Sequence, residues 1–325
     1  MDARGGSLSA RLRRLASVLG PHFKLLAAVG TLAGVALALF TQREAIAEFD
    51  WQLSWRAFLG SVLLFAVAPL VQGLCFWLVL RGLGLPTRFD EALVIWTRSF
   101  LLRYAPTGAL AFVIRIRERE RLEATSGEVW TASGYEQLVA LVSGAIVCVL
   151  GFALAQLWPP LAAIGICAAA LAVAVAVRPR FLGRVGQKLL AARGIDVPRL
   201  LRGRALAAVI VINALGWVAT GAATWTLVNA LSEEPTPAFA WLVGVYAFAW
   251  LLGFLVPLLP GGLGLRDGTL VVFLATRFGT GVATALVLAL RLANTLGELL
   301  AIGLTELVYR IWRRRRGTRV AAAAP

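Results

Sequence analysis

The chain has 325 residues, 59% of them hydrophobic, and a formal net charge of +15. Because a soluble domain is typically about 45–50% apolar, this composition excludes an ordinary soluble protein. Several apolar runs are long enough to cross the roughly 30 Å of a bilayer's hydrocarbon, and no alternating segments typical of a membrane barrel occur. The sequence predicts an all-α, polytopic membrane protein with about eight transmembrane segments.

Charge and rare residue types exclude several kinds of site. The arginines flank the apolar runs, as the positive-inside rule requires, and they also suit anionic lipid headgroups. No motif for reading a nucleic-acid groove accompanies them, so nucleic acid is not an expected partner. Three scattered cysteines and a single histidine argue against disulfides, metal sites and histidine-based catalysis. We expect no cofactor and no enzymatic activity.

The N-terminal segment, residues 1–24, is basic and precedes an apolar run at 25–40. Ala47 and the small residues before it resemble a signal-peptide cleavage site, whereas Arg43 and Glu44 separate that site from the apolar run. We therefore prefer an uncleaved first span to a cleaved signal peptide. This choice places the N-terminus in the cytoplasm.

The second span is predicted at 57–80, where Pro69 indicates a kink. Residues 89–121 follow, with two apolar pieces of roughly 10 residues on either side of Pro106-Thr107-Gly108. Pieces this short cannot each cross the hydrocarbon. They favour a hairpin that re-enters the membrane over a complete span.

Further spans are predicted from the remaining apolar runs, at 133–158, 161–177, 205–231 and 239–256. A basic loop at 178–204, either solvated or an amphipathic surface helix, separates a first half at 25–177 from a second half at 205–312. The last helix, 281–312, precedes a basic tail at 313–325. The charge distribution then places both termini in the cytoplasm of a multi-pass protein of the cell membrane, inner or plasma.

A second break lies at 257–267, which holds two prolines and three glycines between apolar runs. Irregular backbone at membrane depth is viable only where it is buried in protein or lines a wet cavity. The last helix carries Arg291, Asn294, Glu298 and Thr305 within an arc of roughly 60°. Such a stripe faces protein or water, either as a structural polar zipper or as part of a site.

The two breaks are spaced alike, which indicates a weak internal repeat. About 30 residues after Pro106 and after Pro260 an ionisable residue, Glu136 or Arg291, lies inside a span. Broken segments in corresponding positions of the two halves indicate the binding site of a transporter.

The motifs around these breaks are Arg103-Tyr104-Ala105-Pro106-Thr107-Gly108 with Arg115, Tyr135-Glu136, the run from Pro260 through Gly261, Gly262, Gly264, Arg266 and Asp267 to Gly268, and Arg291 with Glu298. Together they resemble the lysylphosphatidylglycerol synthase transmembrane region, also called the flippase-like domain family. The resemblance covers residues 25–312. The chain departs from the family pattern in having Thr107 between Pro106 and Gly108, and Gln137 after Glu136.

The resemblance implies a flippase-like transmembrane domain at 25–312 that moves an anionic or modified phospholipid, or a lipid-linked precursor, between leaflets. It implies a substrate-binding site without catalytic or metal-ligating residues. The candidate residues are Arg103, Tyr104, Pro106, Arg115, Glu136, Pro260, Gly261, Gly262, Gly264, Arg266, Asp267, Arg291, Asn294 and Glu298. Membrane lipids are the expected partners, with a glycosyltransferase, a lipid synthase or a second copy of the chain as open alternatives.

A charged headgroup crosses hydrocarbon only at a cost of several kcal/mol or more, which a polar groove between helices would lower. Arginines bind phosphate bidentately. We expect Glu136, Asp267 and Glu298 either to hold these arginines when the site is empty or to bind a cationic headgroup. No nucleotide-binding Gly-Lys-Ser/Thr loop occurs. Two other hypotheses stay open: a non-transporting membrane partner of a glycosyltransferase or lipid synthase, and an integral membrane lipid-modifying transferase.

Overall fold

The computed structural model describes residues 40, 43–48, 54–100, 110–155, 201, 203–231, 238–255 and 264–322. Within these ranges every regular element is a helix and no strand occurs, which confirms the all-α prediction. The helices are α1 (Arg43–Glu48), α2 (Trp55–Gly82), α3 (Phe89–Phe100), α4 (Leu110–Arg117), α5 (Ser126–Leu154), α6 (Gly203–Leu231), α7 (Phe239–Leu255) and α8 (Leu265–Ala322).

Four of these helices, α2, α5, α6 and α8, are long and apolar enough to cross a membrane, and α7 is a shorter apolar helix. These four are candidate membrane-spanning helices by length and composition, which agrees with the prediction of a helical membrane protein. The predicted number of about eight segments remains a prediction. The first span at 25–40, apart from its last residue, and the span at 161–177 lie outside the described residues, as does nearly all of the basic loop at 178–204.

The start of α5 is set by a capping box. The Thr125 hydroxyl accepts from the backbone N–H of Glu128, and the Glu128 carboxylate accepts from the backbone N–H of Thr125. These reciprocal bonds satisfy two of the donors that a helix start leaves unpaired. The helix consequently begins at Ser126, before the predicted span at 133–158, which was judged from hydropathy alone.

α2 and α6 lie antiparallel along the bundle. Near the start of α2 the Ser61 hydroxyl donates to the Ala223 carbonyl at 2.8 Å. Further along α2 the Cys75 thiol donates to the Val209 carbonyl at 3.7 Å. A residue later in α2 thus contacts a residue earlier in α6, so the two helices run in opposite directions.

α5 runs parallel to α6. The backbone N–H of Leu201, just before α6, donates to the Tyr135 hydroxyl at 3.4 Å. Two turns further along α5, the Asn213 side chain donates to the Ser143 hydroxyl at 2.7 Å. The contacts advance along both helices, so α2 is the antiparallel member of this three-helix core.

The segment at 89–121 starts and ends at one end of the bundle. The Thr87 hydroxyl donates to the Leu122 carbonyl, and Arg121 pairs with Glu91. The described parts of α3 and α4 have 12 and 8 residues, which corresponds to about 18 Å and about 12 Å. This return to its starting end is what the predicted hairpin requires. Its predicted tip, 101–109, lies outside the described residues.

α8 consists of two antiparallel arms. Gly279 has φ 73° and ψ 161°, a conformation that glycine adopts without a Cβ clash, and it separates residues 265–278 from residues 280–322. Asp267 and Arg291, each 12 residues from Gly279, form an ion pair. The predicted last helix at 281–312 therefore lies within the second arm.

α7 and the first arm of α8 form a second hairpin. A Cβ added at Gly253 would lie 3.1 Å from the Cβ of Arg266, and the Phe248 and Phe273 rings lie 5.9 Å apart. α7 therefore runs antiparallel to the first arm. Of the predicted break at 257–267, residues 257–263 lie outside the described residues.

The two hairpins enter the bundle from opposite ends. α3 begins where α2 ends, as the ring contact of Trp77 with Phe89 at 5.4 Å shows. α7 begins where α6 ends, with the Trp225 and Phe239 rings 6.1 Å apart. Because α2 and α6 are antiparallel, these starting points lie at opposite ends.

Small residues allow α5 and α7 to cross closely. A Cβ added at Gly151 would lie 2.6 Å from the carbonyl oxygen of Ala240 and 2.6 Å from the backbone nitrogen of Gly244. Both are backbone atoms, which cannot move aside as a side chain does. Close approach of this kind is the usual basis of helix association in membranes.

We expect Gly151→Ala to destabilise the protein by about 1–3 kcal/mol, because overpacking at this crossing forces the backbones apart. The matched control is Gly134→Ala in the same helix, where an added Cβ meets nothing within 4 Å. The measurement is the thermal unfolding midpoint of each purified variant in detergent. Equal midpoints for the two variants would contradict the predicted close crossing.

Candidate functional site

The structure divides the predicted site residues into three sets. Arg103, Tyr104, Pro106, Pro260, Gly261 and Gly262 lie outside the described residues. Arg115 and Glu136 form one group, between the first hairpin and α5. The other group lies on or just before α8 and consists of Gly264, Arg266, Asp267, Arg291, Asn294 and Glu298.

The first group is a buried ion pair. Arg115 of α4 and Glu136 of α5 are 4% and 7% exposed, and Nη1 of the arginine donates to Oε2 of the glutamate. Arg115 also donates to Ser99 at 2.7 Å and to Ser133 at 3.3 Å. The second carboxylate oxygen accepts from Trp96 Nε1 at 2.8 Å. Burial of two charges is tolerated here because both are hydrogen-bonded.

Aromatic rings enclose the Arg115 guanidinium. Its central carbon lies 4.8 Å from the Phe76 ring centre, 5.8 Å from that of Trp96 and 5.9 Å from that of Phe112. These contacts replace water around the cation. Arg115 therefore joins the first hairpin to α5, and its N–H groups bind other side chains of the protein.

The second group contains a chain of hydrogen bonds between α7 and both arms of α8. Arg266 donates to the Tyr246 hydroxyl, and its guanidinium lies 4.8 Å from the Tyr246 ring centre. The Tyr246 hydroxyl in turn donates to the side-chain oxygen Oδ1 of Asn294 at 3.4 Å. Asn294 Nδ2 donates to Glu298 Oε1 at 2.7 Å. Glu298, 4% exposed, thus belongs to a polar network.

Asp267 and Arg291 form a separate ion pair across the two arms of α8. Their side chains are 19% and 25% exposed. Exposed apolar side chains, Leu265 and Leu292, neighbour the pair in sequence. This pair therefore lies nearer the surface of the bundle than the hydrogen-bonded chain that begins at Arg266.

A cavity of about 40 Å³ brings part of the second group together with residues of α2, α3, α6 and α7. Its polar wall consists of Gln72, Asn213, Thr220, Arg266, Asn294 and Glu298. Its aromatic wall consists of Phe65, Phe100, Trp217, Tyr246 and Trp250. The volume accommodates a small number of water molecules. Phe100 ends α3 and Arg266 starts α8, so both hairpins contribute to the cavity.

Pro69 adds a backbone acceptor beside this cavity. Proline has no N–H, so the carbonyl of Phe65 in α2 lacks its usual intrahelical donor. Both residues line the cavity. Pro69, from which a kink was predicted, thus also leaves the Phe65 carbonyl oxygen without its intrahelical donor.

Arg115, which was predicted to bind a headgroup together with other arginines, does not line this cavity, and its role in substrate binding stays a prediction. Only Arg266 among the described arginines lines the cavity, while Arg115 is enclosed beside Glu136. The physical reason is that a buried arginine takes the nearest carboxylate as its partner. The structure contains two ion pairs among the candidate residues, Arg115 with Glu136 and Arg291 with Asp267. The sequence predicted that acids hold arginines but did not specify these pairs.

Sequence reasoning missed Gln72, Tyr246 and Trp250 as cavity residues. The signal for Gln72 was its polar side chain inside an apolar run next to Pro69, which had been interpreted only as a kink. The tyrosine and tryptophan carry no such signal, because aromatic residues are common in apolar helices.

A second polar network, also missed, ties the first hairpin to the far part of α8. Arg121 pairs with Glu91 and donates to the Tyr309 hydroxyl at 2.7 Å. Arg98 forms hydrogen bonds of 2.9 Å and 3.1 Å with Glu306. The ends of the hairpin are thereby held against the helix that carries the basic tail.

No family model and no curated protein sequence matches this chain. Among the described residues, no group of three or more histidine, cysteine, aspartate or glutamate side chains is placed to hold a metal ion. What the protein does is therefore inferred from the cavity, the two hairpins and the buried charges.

Proposed function

We propose that this protein is a membrane lipid translocase, which moves an anionic or modified phospholipid or a lipid-linked precursor between leaflets. The observation that carries the proposal is the cavity at Arg266, Asn294 and Glu298, which is lined in part by α2, α6 and α8, three of the helices long and apolar enough to span a membrane. Ionisable side chains in such helices usually mark a pathway for a polar substrate.

The physical basis is the cost of moving a headgroup through hydrocarbon. A charged group at the bilayer centre costs on the order of 2.5–3.5 kcal/mol or more, depending on the reference scale. A polar path between helices lowers this barrier while the acyl tails remain in lipid. The hydrogen-bonded chain from Arg266 to Glu298 offers both donors and acceptors for such a path.

The two hairpins support a transport function. They enter from opposite ends and meet at one cavity through Phe100 and Arg266. Broken segments of opposite direction, meeting near the middle of the membrane, are typical of transporters built from inverted repeats. We propose that each hairpin re-enters from its own side, that the basic ends and both termini are cytoplasmic, and that the protein resides in the cell membrane.

A non-transporting partner of a glycosyltransferase or lipid synthase is the second candidate. Arg115 and Glu136, which satisfy each other and are enclosed by aromatic rings, favour this alternative because they resemble a purely structural pair. A lipid-modifying transferase remains the third candidate, without an observation that favours it.

Reconstitution tests the proposal. The purified chain is placed in vesicles with fluorescent-acyl phospholipids, and a membrane-impermeant reductant bleaches the outer leaflet. A translocase would bring label from the inner leaflet to the outer leaflet, where the reductant bleaches it. A scaffold would leave the inner-leaflet label, about half of the total, protected, as it is in vesicles without protein. Protection equal to that of protein-free vesicles, for every lipid offered, would refute the proposal.

A further inference from the structure

We infer that the cavity selects a polyol or sugar headgroup joined to its lipid through a phosphate, and disfavours a cationic aminoacyl headgroup. This inference rests on the proposed function and names the substrate class of the same site. It comes from the mixture of side chains that meet there: neutral amides, aromatic rings, one arginine and one glutamate.

The neutral polar groups suit hydroxyls. Gln72, Asn213 and Asn294 reach the cavity from three different helices. An amide side chain offers both donors and an acceptor, and a hydroxyl can satisfy either. The Asn213 nitrogen already donates to Ser143 at 2.7 Å, which directs its carbonyl oxygen to serve as an acceptor. Such a set recognises several adjacent hydroxyls better than it recognises a point charge.

The aromatic rings suit the apolar face of a sugar or polyol. Trp217 and Trp250 both line the cavity, with ring centres 4.8 Å apart and planes at 71°. Trp217 is held by a 3.1 Å hydrogen bond from Nε1 to Ser143. A fixed ring beside amide groups presents an apolar surface and hydrogen-bonding atoms together, which matches the C–H and O–H faces of a carbohydrate.

The charges distinguish phosphate from ammonium headgroups. Arg266 brings a guanidinium to the cavity wall, and arginine binds phosphate in a bidentate manner. Among the described residues of that wall, Glu298 is the single carboxylate. A lysyl phospholipid carries one phosphate and two ammonium groups. If Arg266 binds the phosphate and Glu298 binds one ammonium, the second ammonium has no partner of opposite charge and lies beside the arginine. Like-charge contacts of this kind reject a partner at a cost of several kcal/mol.

The cavity accommodates a small number of water molecules, which a headgroup would replace. Hydroxyls are suited to this exchange because a hydroxyl, like water, both donates and accepts hydrogen bonds.

The test compares three lipids in two assays on the 325-residue chain. The probes are phosphatidylinositol, phosphatidic acid and lysylphosphatidylglycerol, each with a fluorescent acyl chain for translocation and unlabelled for competitive native mass spectrometry in detergent. We expect phosphatidylinositol to be preferred at least about fivefold over both others, which corresponds to about 1 kcal/mol. Gln72→Leu should remove the preference over phosphatidic acid.

The matched control is Gln137→Leu, the same change in α5 at a residue that does not line the cavity. It should leave the preference unchanged. Equal binding of the three lipids, or a preference for the lysyl lipid, would overturn the inference even if translocation occurs. If no lipid moves but native mass spectrometry still shows preference for phosphatidylinositol, the proposed translocation fails while the headgroup assignment stands.

Discussion

Glu136→Leu is expected to destabilise the protein by about 3–5 kcal/mol, because it leaves the Arg115 charge buried without its carboxylate. Arg115 is 4% exposed and lies among aromatic rings, so water cannot replace the lost partner. The change also removes the acceptor of Trp96. The measurement is chemical or thermal unfolding of the purified protein in detergent.

The double variant Arg115→Leu with Glu136→Leu separates the value of the pair from the cost of a lone charge. Because a buried pair replaced by apolar side chains is often neutral, we expect the double variant to recover most of the lost stability. The control is Glu306→Leu, which breaks a more exposed pair with Arg98 and should cost at most about 1 kcal/mol. A double variant no more stable than Glu136→Leu would contradict this account.

Arg266→Gln is expected to slow translocation of an anionic lipid by about 10–100-fold, because a hydrogen bond to a charged group contributes about 1.5–3 kcal/mol and each 1.36 kcal/mol is tenfold in rate. Glutamine keeps a donor for the Tyr246 hydroxyl, so the fold is expected to persist. The measurement is the rate of reductant-accessible fluorescence in vesicles that contain equal amounts of each variant.

Arg277→Gln is the matched control. Arg277 lies on the same arm of α8, is exposed and does not line the cavity. Its loss should leave the rate within about twofold of the unmodified protein, an effect below 0.5 kcal/mol. If both variants transport alike while their unfolding midpoints also agree, Arg266 does not act on the headgroup.

Arg291→Gln distinguishes two roles for the outer ion pair. Asp267 and Arg291 are partly exposed and join the two arms of α8. If the pair only fixes the arms, the variant loses stability and transports at a rate that scales with its folded fraction. If Arg291 also receives the headgroup, the rate falls further at equal folded fraction. We expect the second outcome, because the Asp267–Arg291 pair is partly exposed, so Arg291 can bind a phosphate in place of Asp267.

The long apolar helices could be predicted from local patterns. The predicted spans at 57–80 and 205–231 differ by two residues or fewer at each end from α2 and α6. Hydropathy suffices for these because the whole segment is apolar and its length is set by the bilayer. The start of α5 was less well predicted, since it depends on hydrogen bonds of the capping box at Thr125 rather than on hydropathy.

The partners of the charges could be predicted only in part. Sequence spacing suggested that acids hold arginines, but it did not say that Arg115 takes Glu136 and is removed from the cavity. It likewise did not indicate that Gln72 of α2 and Tyr246 of α7 would meet beside Arg266. These contacts join residues far apart in the chain, and helical periodicity specifies only which residues share one helix face.

The sequence by itself determined the class of protein, the apolar helices and the polar residues that they bury, because the bilayer imposes length and composition on each segment separately. Only the tertiary structure decided which of those residues form a site. Antiparallel α2 and α6 place the two hairpins at opposite ends, and their packing puts Arg266 in the cavity and Arg115 outside it. The physical reason is that a buried charge must pair with a polar group close to it in space. That partner can lie far away in the chain, so the neighbouring residues in the sequence do not identify it.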